Sequence, residues 1–301
     1  MRPGSELLVG AIDGHVHACP HLNGRSVTVF EAVRNAAAAG MRAIGLMDNF
    51  CNSSGYAALA MRELGHLGVE VFGGLVMEPP AGGVSAEAVR IALGYGYGAG
   101  TGARFISLPT HHTRNIARQE RRSPVYIDAC LEIPERGDLP GDLPEILDLV
   151  AAHDAVLNTG HLSGPESIRL VEIARGRGIR RILVPSSYFT PDEVRALAGL
   201  GAMTEHSFFF ATHATQAGLT HVDAQAHTVP PVSAPRMVEL IKAAGPESCI
   251  VSSDCGVFLL PPPDEGLREF LLLLESCGVA RADLVRMVAT NPAALFKIGP
   301  S

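Results

Sequence analysis

The chain has 301 residues, enough for one large α/β domain or two ordinary ones. Its 24 lysines and arginines against 31 acidic residues give a formal charge of −7, with no basic footprint for nucleic acid. At 47% apolar and 18% charged it is too hydrophobic for a disordered polymer, and no apolar run approaches the roughly 18 residues that suggest a membrane span.

Residues 1–10 lack the pattern of a secretory leader. Cys19, Cys51, Cys130, Cys249, Cys255 and Cys277 form no C-x-x-C pair and no disulfide framework, so reduced thiols in a cytoplasmic protein are expected.

Short apolar runs alternate with amphipathic stretches. Residues 8–18 read as a strand and 27–39 as a helix closed by Gly40. The pair recurs at 41–47 and 56–67, ended by Gly68, and again at 69–77 and 85–93, with Ser85 as N-cap. A fourth strand at 104–108 leads into a long loop, 111–141, rich in arginine and proline, and then a helix at 143–153. Strands at 155–159, 181–184, 202–210 and 249–253 are followed by helices at 165–175, 191–200, 234–244 and 267–276. Thr190 and Pro191 open the 191–200 helix. A second long loop, 211–233, follows strand seven, and helical turns at 282–296 end the pattern.

Parallel strands need helical crossovers, so this alternation predicts a parallel sheet. Eight units of about 35 residues predict a closed (β/α)8 TIM barrel, a single domain over residues 1–301. An open doubly wound sheet is the rival, but no G-x-G-x-x-G follows strand one and no G-x-x-x-x-G-K occurs.

Barrel enzymes carry their chemistry at the C-terminal ends of the strands. Strand one ends Ile12-Asp13-Gly14-His15-Val16-His17, strand five Asn158-Thr159-Gly160-His161, and strand eight Ser252-Ser253-Asp254-Cys255-Gly256. Strand alternation points His15 and His17 to the same side. Imidazoles joined by a carboxylate suit zinc, manganese or iron, and such a metal lowers the pKa of bound water to about 7. Taken singly these residues are ordinary: H-x-H recurs by chance, and His161 or Asp254 would serve as a buried histidine or a helix cap. Their joint placement at three strand ends makes His15, His17, His161 and Asp254 the expected metal ligands, with Asp254 also placed to move a proton.

Asp13-Gly14-His15-Val16-His17 resembles the opening motif of the amidohydrolase superfamily. Thr159-Gly160-His161 resembles its strand-five histidine, Ser252-Ser253-Asp254 its strand-eight aspartate, and Ala289-Thr290-Asn291-Pro292-Ala293-Ala294-Leu295 its terminal N-P-A-x-x-L segment. The resemblance implies a metal-dependent hydrolase, with His15, His17 and His161 as ligands and Asp254 as ligand or general base. Two departures stand out. Strand six ends Leu183-Val184-Pro185-Ser186-Ser187-Tyr188, without the superfamily's histidine. Neither Met47-Asp48-Asn49 nor Ser107-Leu108-Pro109-Thr110-His111-His112 supplies a metal-bridging lysine. One divalent ion is therefore expected, zinc foremost, with manganese or iron as alternatives. His111 or His112 would add a ligand or orient substrate.

Arg114 suits an anionic substrate, although a solvated basic loop offset by Glu120 and Glu132 is the favoured alternative. Glu205 would orient substrate or carry a second proton if it faces the barrel interior, where an ionised group needs a partner. His206 should then face the other way. His213, His221 and His227 are lid candidates. The glycine-rich stretch 94–102 reads as a turn at the bottom of the barrel, and Cys255 as a bystander near the metal.

The expected function is hydrolysis of an amide, imide, lactone or related bond of a small-molecule substrate. The alternatives are a metal-dependent decarboxylase or isomerase on the same fold, and a small-molecule-binding barrel without catalysis. A phosphoesterase of the polymerase-and-histidinol-phosphatase type also opens with H-x-H, but its second strand ends Asp-His where this chain has Asp48-Asn49. Neither nucleic acid nor a membrane is an expected partner, and a homo-oligomer is compatible with the fold.

Overall fold

The structure is a computed structural model that describes residues 2–98, 101–220 and 223–299. Eight strands form one sheet in sequence order. They are β1 (Ile12–Val16), β2 (Ala43–Leu46), β3 (Glu70–Val76), β4 (Phe105–Ser107), β5 (Val156–Asn158), β6 (Ile182–Pro185), β7 (Met203–Ser207) and β8 (Cys249–Ser252). Each neighbouring pair is parallel. The ring closes where the backbone of His17 donates to Cys255 at 2.8 Å and that of Asp254 donates to His15 at 2.9 Å. The chain is a single-domain (β/α)8 barrel, as its alternating pattern predicts.

The outer helices are α1 (Val29–Ala38), α2 (Ser54–Leu64), α3 (Ala86–Gly94), α6 (Leu143–His153), α7 (Gly164–Gly176), α8 (Pro191–Gly199), α9 (Ala234–Ala244) and α10 (Pro263–Ser276). Side-chain caps fix their starts: Thr28 with Glu31, and Thr190 with Glu193, form reciprocal capping boxes. The segment read as a loop after β4 holds two short helices, α4 (Arg114–Gln119) and α5 (Pro124–Ala129), capped by Thr113 and Ser123. Six residues make fewer than two turns, too few for a readable 3.6-residue period. Two further helices, α11 (Arg281–Val285) and α12 (Asn291–Phe296), follow α10.

Two apolar layers hold the barrel. Ile44, Leu46, Val71, Ile106, Leu157 and Val251 face outward into the helices. Ile12, Ala43, Phe72, Phe105, Val156, Leu183 and Ile250 fill the interior, with Leu295 and Phe296 of α12 as its floor. Asn291 ties α12 to β8 by donating to the carbonyls of Pro246 and Cys249 at 2.8 and 2.6 Å. This terminal segment therefore plugs the bottom of the barrel and leaves the opposite end to the chemistry. Among the described residues no helix is long and apolar enough to cross a membrane. All six cysteines are free.

Candidate metal centre

Interior positions on β7 run Met203, Glu205, Ser207, and on β8 Ile250, Ser252, Asp254, the every-second-residue pattern of a strand. On β1 the pattern breaks. Ile12 and Gly14 face inward, and a Cβ on Gly14 would lie 2.7 Å from the Phe296 ring. Yet His15 and His17 also line the cavity at the barrel mouth, while Val16 packs outward. The pairing of β1 with β2 shifts register between Asp13 and Val16. Such an irregularity re-aims side chains, and here it turns both imidazoles into the mouth. Asp13 braces it, accepting from the backbone N–H of Ser253 at 3.0 Å and of His15 at 3.3 Å. Burial raises the Asp13 carboxyl to about 7, against these hydrogen bonds.

Nε2 of His15 and Nε2 of His17 both approach Oδ1 of Asp254, at 3.2 and 3.1 Å. Donor atoms of the three residues lie within 4.8 Å of one another, and all three side chains are buried. Oδ2 of Asp254 accepts from Ser207 Oγ at 3.3 Å. Behind His15, Nδ1 lies 3.3 Å from Oε1 of Glu205, which also accepts from Ser252 Oγ at 2.7 Å. A carboxylate on the rear nitrogen fixes the ring and leaves the front nitrogen free for a metal. Burial opposes the charge on Asp254, but His15, His17 and His161 outweigh it and hold the carboxyl below its ordinary range. Burial likewise opposes protonation of His15, but Asp254 and Glu205 raise it to about 9. His17 is held low by burial. The donor set fits a divalent cation: two imidazoles and one carboxylate converge, and the carboxylate carries the compensating charge.

His161 reaches the cavity through a tight turn. Gly160 has φ +58°, and a Cβ there would meet the carbonyl oxygens of Pro109 and Leu108 at 2.2 and 2.5 Å. The His161 backbone donates to Pro109 at 3.1 Å. Burial lowers its imidazole to about 4 and so keeps it neutral. It lines the same cavity as His15, His17 and Asp254 but stands outside their 4.8 Å group.

The other predicted residues separate. His111 lines the cavity; His112 does not, and stacks edge-on against Tyr126 at 5.5 Å. Arg114, expected to hold a substrate anion, instead pairs with Glu132 at 2.6 Å away from the cavity. Glu205, expected to contact substrate, is buried beneath His15 and does not reach the cavity wall. His206 faces away from Glu205, fully buried. Cys255 is buried, and burial raises its thiol well above the usual range, which disfavours the thiolate. His213 is exposed beside Gln216, and His221 lies outside the described residues.

Three features were not legible in the sequence, two of them single residues and the third a grouping of residues already noted. Glu78, beyond β3, accepts from the backbone N–H groups of Thr110, His111 and His112 and from Thr110 Oγ1, which shapes the loop that presents His111. Arg25 lines the cavity, where burial lowers its guanidinium to about 10, and it donates to His21 Nε2 at 2.8 Å. The third is a group of His111, Glu120 and His227, whose donors also lie within 4.8 Å of one another.

The same barrel architecture is found in solved structures of hydrolases. An amidohydrolase from Pseudomonas aeruginosa superposes with TM-score 0.60 at 11% identity, covering 98% of each chain. An organophosphorus hydrolase from Deinococcus radiodurans gives 0.56 at 16%, covering 97% of this chain and 93% of its own. An amidohydrolase from Burkholderia multivorans with bound zinc gives 0.58 at 12%, covering 96% and 99%. The chain belongs to DUF6282, a family of unknown function, which matches residues 10–205. No curated protein matches it.

Proposed function

We propose that this protein is a metal-dependent hydrolase of a small molecule, acting on an amide, imide, lactone or related C–N or C–O bond. The observation that carries the reading is the convergence of His15, His17 and Asp254 within 4.8 Å in a cavity at the C-terminal mouth of the barrel. These residues would hold the ion, with His161 closing the set from the adjoining wall. A divalent metal bound there supplies Lewis-acid polarisation of a carbonyl-type group and acidifies water.

The chain's own residues do the rest. Asp254 takes the proton of the attacking water and returns it to the leaving group. Ser207 steadies its Oδ2, and Glu205 fixes the ring of His15. Phe209, Phe210, Leu219 and Val229 give the cavity an apolar wall, which excludes bulk water and strengthens the polar contacts inside. Support for zinc and for hydrolysis comes from the neighbours, which are named as hydrolases, one with bound zinc.

The test is elemental analysis of the wild type and of the His15→Ala/His17→Ala variant, followed by a screen of lactones, amides and imides in ¹⁸O-water. The variant should lose one ion per chain, and the wild-type product should carry solvent oxygen. Unchanged metal content in the variant overturns the site. Release of carbon dioxide without solvent oxygen moves the assignment to a decarboxylase.

A further inference from the structure

We infer that His111, Glu120 and His227 form a second divalent-cation site in the same cavity, outside the His15, His17 and Asp254 cluster. This goes beyond the hydrolytic reading and does not rest on it. It also departs from the single ion expected from the sequence.

The geometry is that of a ligand set. His111 follows β4, Glu120 ends α4, and His227 comes from the long segment between β7 and α9. One donor atom from each lies within 4.8 Å of the others, and all three residues line the cavity. The rings of His111 and His227 are 5.2 Å apart. Nδ1 of His227 lies 2.7 Å from Oε2 of Glu120, while its Nε2 lies 3.2 Å from Oδ1 of Asp223. An imidazole that donates its Nε2–H to one carboxylate presents a lone pair at Nδ1. A lone pair and a carboxylate oxygen at that separation need a cation between them, either a proton or a metal ion.

Two observations favour the metal. First, the Glu120 side chain is only 4% exposed, and among the described residues its Oε1 has no hydrogen-bond partner. A buried carboxylate oxygen left without a donor is costly, and an ion shared with two imidazoles would satisfy it. Second, the neighbouring charges leave a negative balance. Arg122 pairs with Asp223 and stands 4.0 Å from Glu120, so one guanidinium faces two carboxylates. Nitrogen donors with one carboxylate suit zinc, manganese or iron.

Such an ion would join the segment after β4 to the segment after β7 and so fasten both over the mouth that holds His15, His17 and Asp254.

Crystals of the full chain grown with Zn²⁺ and measured across the zinc absorption edge test this directly, with limited proteolysis as a second readout. Two anomalous peaks are expected in the wild type, one at each cluster. In Glu120→Gln and in His227→Ala the peak beside His111 should vanish while the other stays, and zinc should no longer slow cleavage between residues 208 and 233. A wild-type peak only at His15, His17 and Asp254 overturns the second site and leaves the hydrolytic reading standing. A peak only beside His111 supports the second site and removes that reading. No peak at either cluster overturns both. A melting temperature within a few degrees of wild type shows that each variant has folded.

Discussion

Glu205 on β7 and His15 on β1 meet through a 3.3 Å contact between Oε1 and Nδ1, and the same ring presents Nε2 to Asp254 at 3.2 Å. Glu205 therefore touches His15 and not the cavity. Removing a carboxylate that orients a metal-bound histidine usually weakens metal affinity roughly 10- to 100-fold. Glu205→Ala should show that loss in a chelator-competition titration with zinc. Glu205→Gln, which can still accept from His15, should lose less. Equal zinc affinity in all three proteins would mean that Glu205 has no hold on the site.

Asp254 sits at φ +51°, in the left-handed region. Asparagine tolerates that backbone and keeps the side-chain shape, whereas a side chain without a local polar group costs about 1–2 kcal/mol there. Asp254→Asn should therefore unfold at nearly the wild-type temperature while losing zinc and at least about 100-fold in kcat, the range of a missing proton carrier. Asp254→Ala should lose the same activity and be less stable as well. An asparagine variant with wild-type turnover would remove Asp254 from the chemistry.

The legible part of the site is the part that sits at strand ends. His15, His17, His161 and Asp254 fall at the ends of β1, β5 and β8, where the barrel concentrates its chemistry. The irregularity in β1 was not legible. Strict alternation pairs His15 with His17, but nothing in the letters shows that Gly14 also faces inward. Tertiary pairing decided the loop residues too: Arg114 reads as an anion ligand until Glu132 is seen 2.6 Å away. The group of His111, Glu120 and His227 spans segments 107 residues apart between Glu120 and His227, with no period to connect them. The histidines of that second loop read as lid candidates, and only the folded chain brings one to Glu120. Strand and helix limits slipped where capping residues, not hydrophobic period, set the boundary, as at Thr28.

The floor of the barrel offers a stability test separate from the mouth. Phe296 is fully buried, its ring centroid 4.7 Å from that of Phe72, and it covers Gly14. A large-to-small change at such a site removes transfer energy and leaves a cavity, together costing about 3–5 kcal/mol. Phe296→Ala should lower unfolding free energy by that amount in urea. A loss below about 1 kcal/mol would mean that the terminal helix can shift to fill the gap.

His206 carries the pH prediction. It is fully buried behind β7, and among the described residues neither ring nitrogen has a hydrogen-bond partner. Burial lowers its imidazole from 6.5 to about 4, with Glu205 pulling weakly the other way. Above pH 6.5 the ring is neutral in both the folded and unfolded chain, so it contributes no pH dependence. Between 6.5 and 4 the unfolded chain takes up a proton that the folded chain refuses, and stability falls as the pH falls. The shift corresponds to at most about 3 kcal/mol once the pH reaches 4. His206→Leu removes that term while leaving every other titrating group in place. The stability of the variant relative to wild type should therefore rise on going from pH 7.5 to 4.5, measured by urea unfolding at each pH. A relative stability that stays flat over that interval would show that His206 takes up its proton inside the fold.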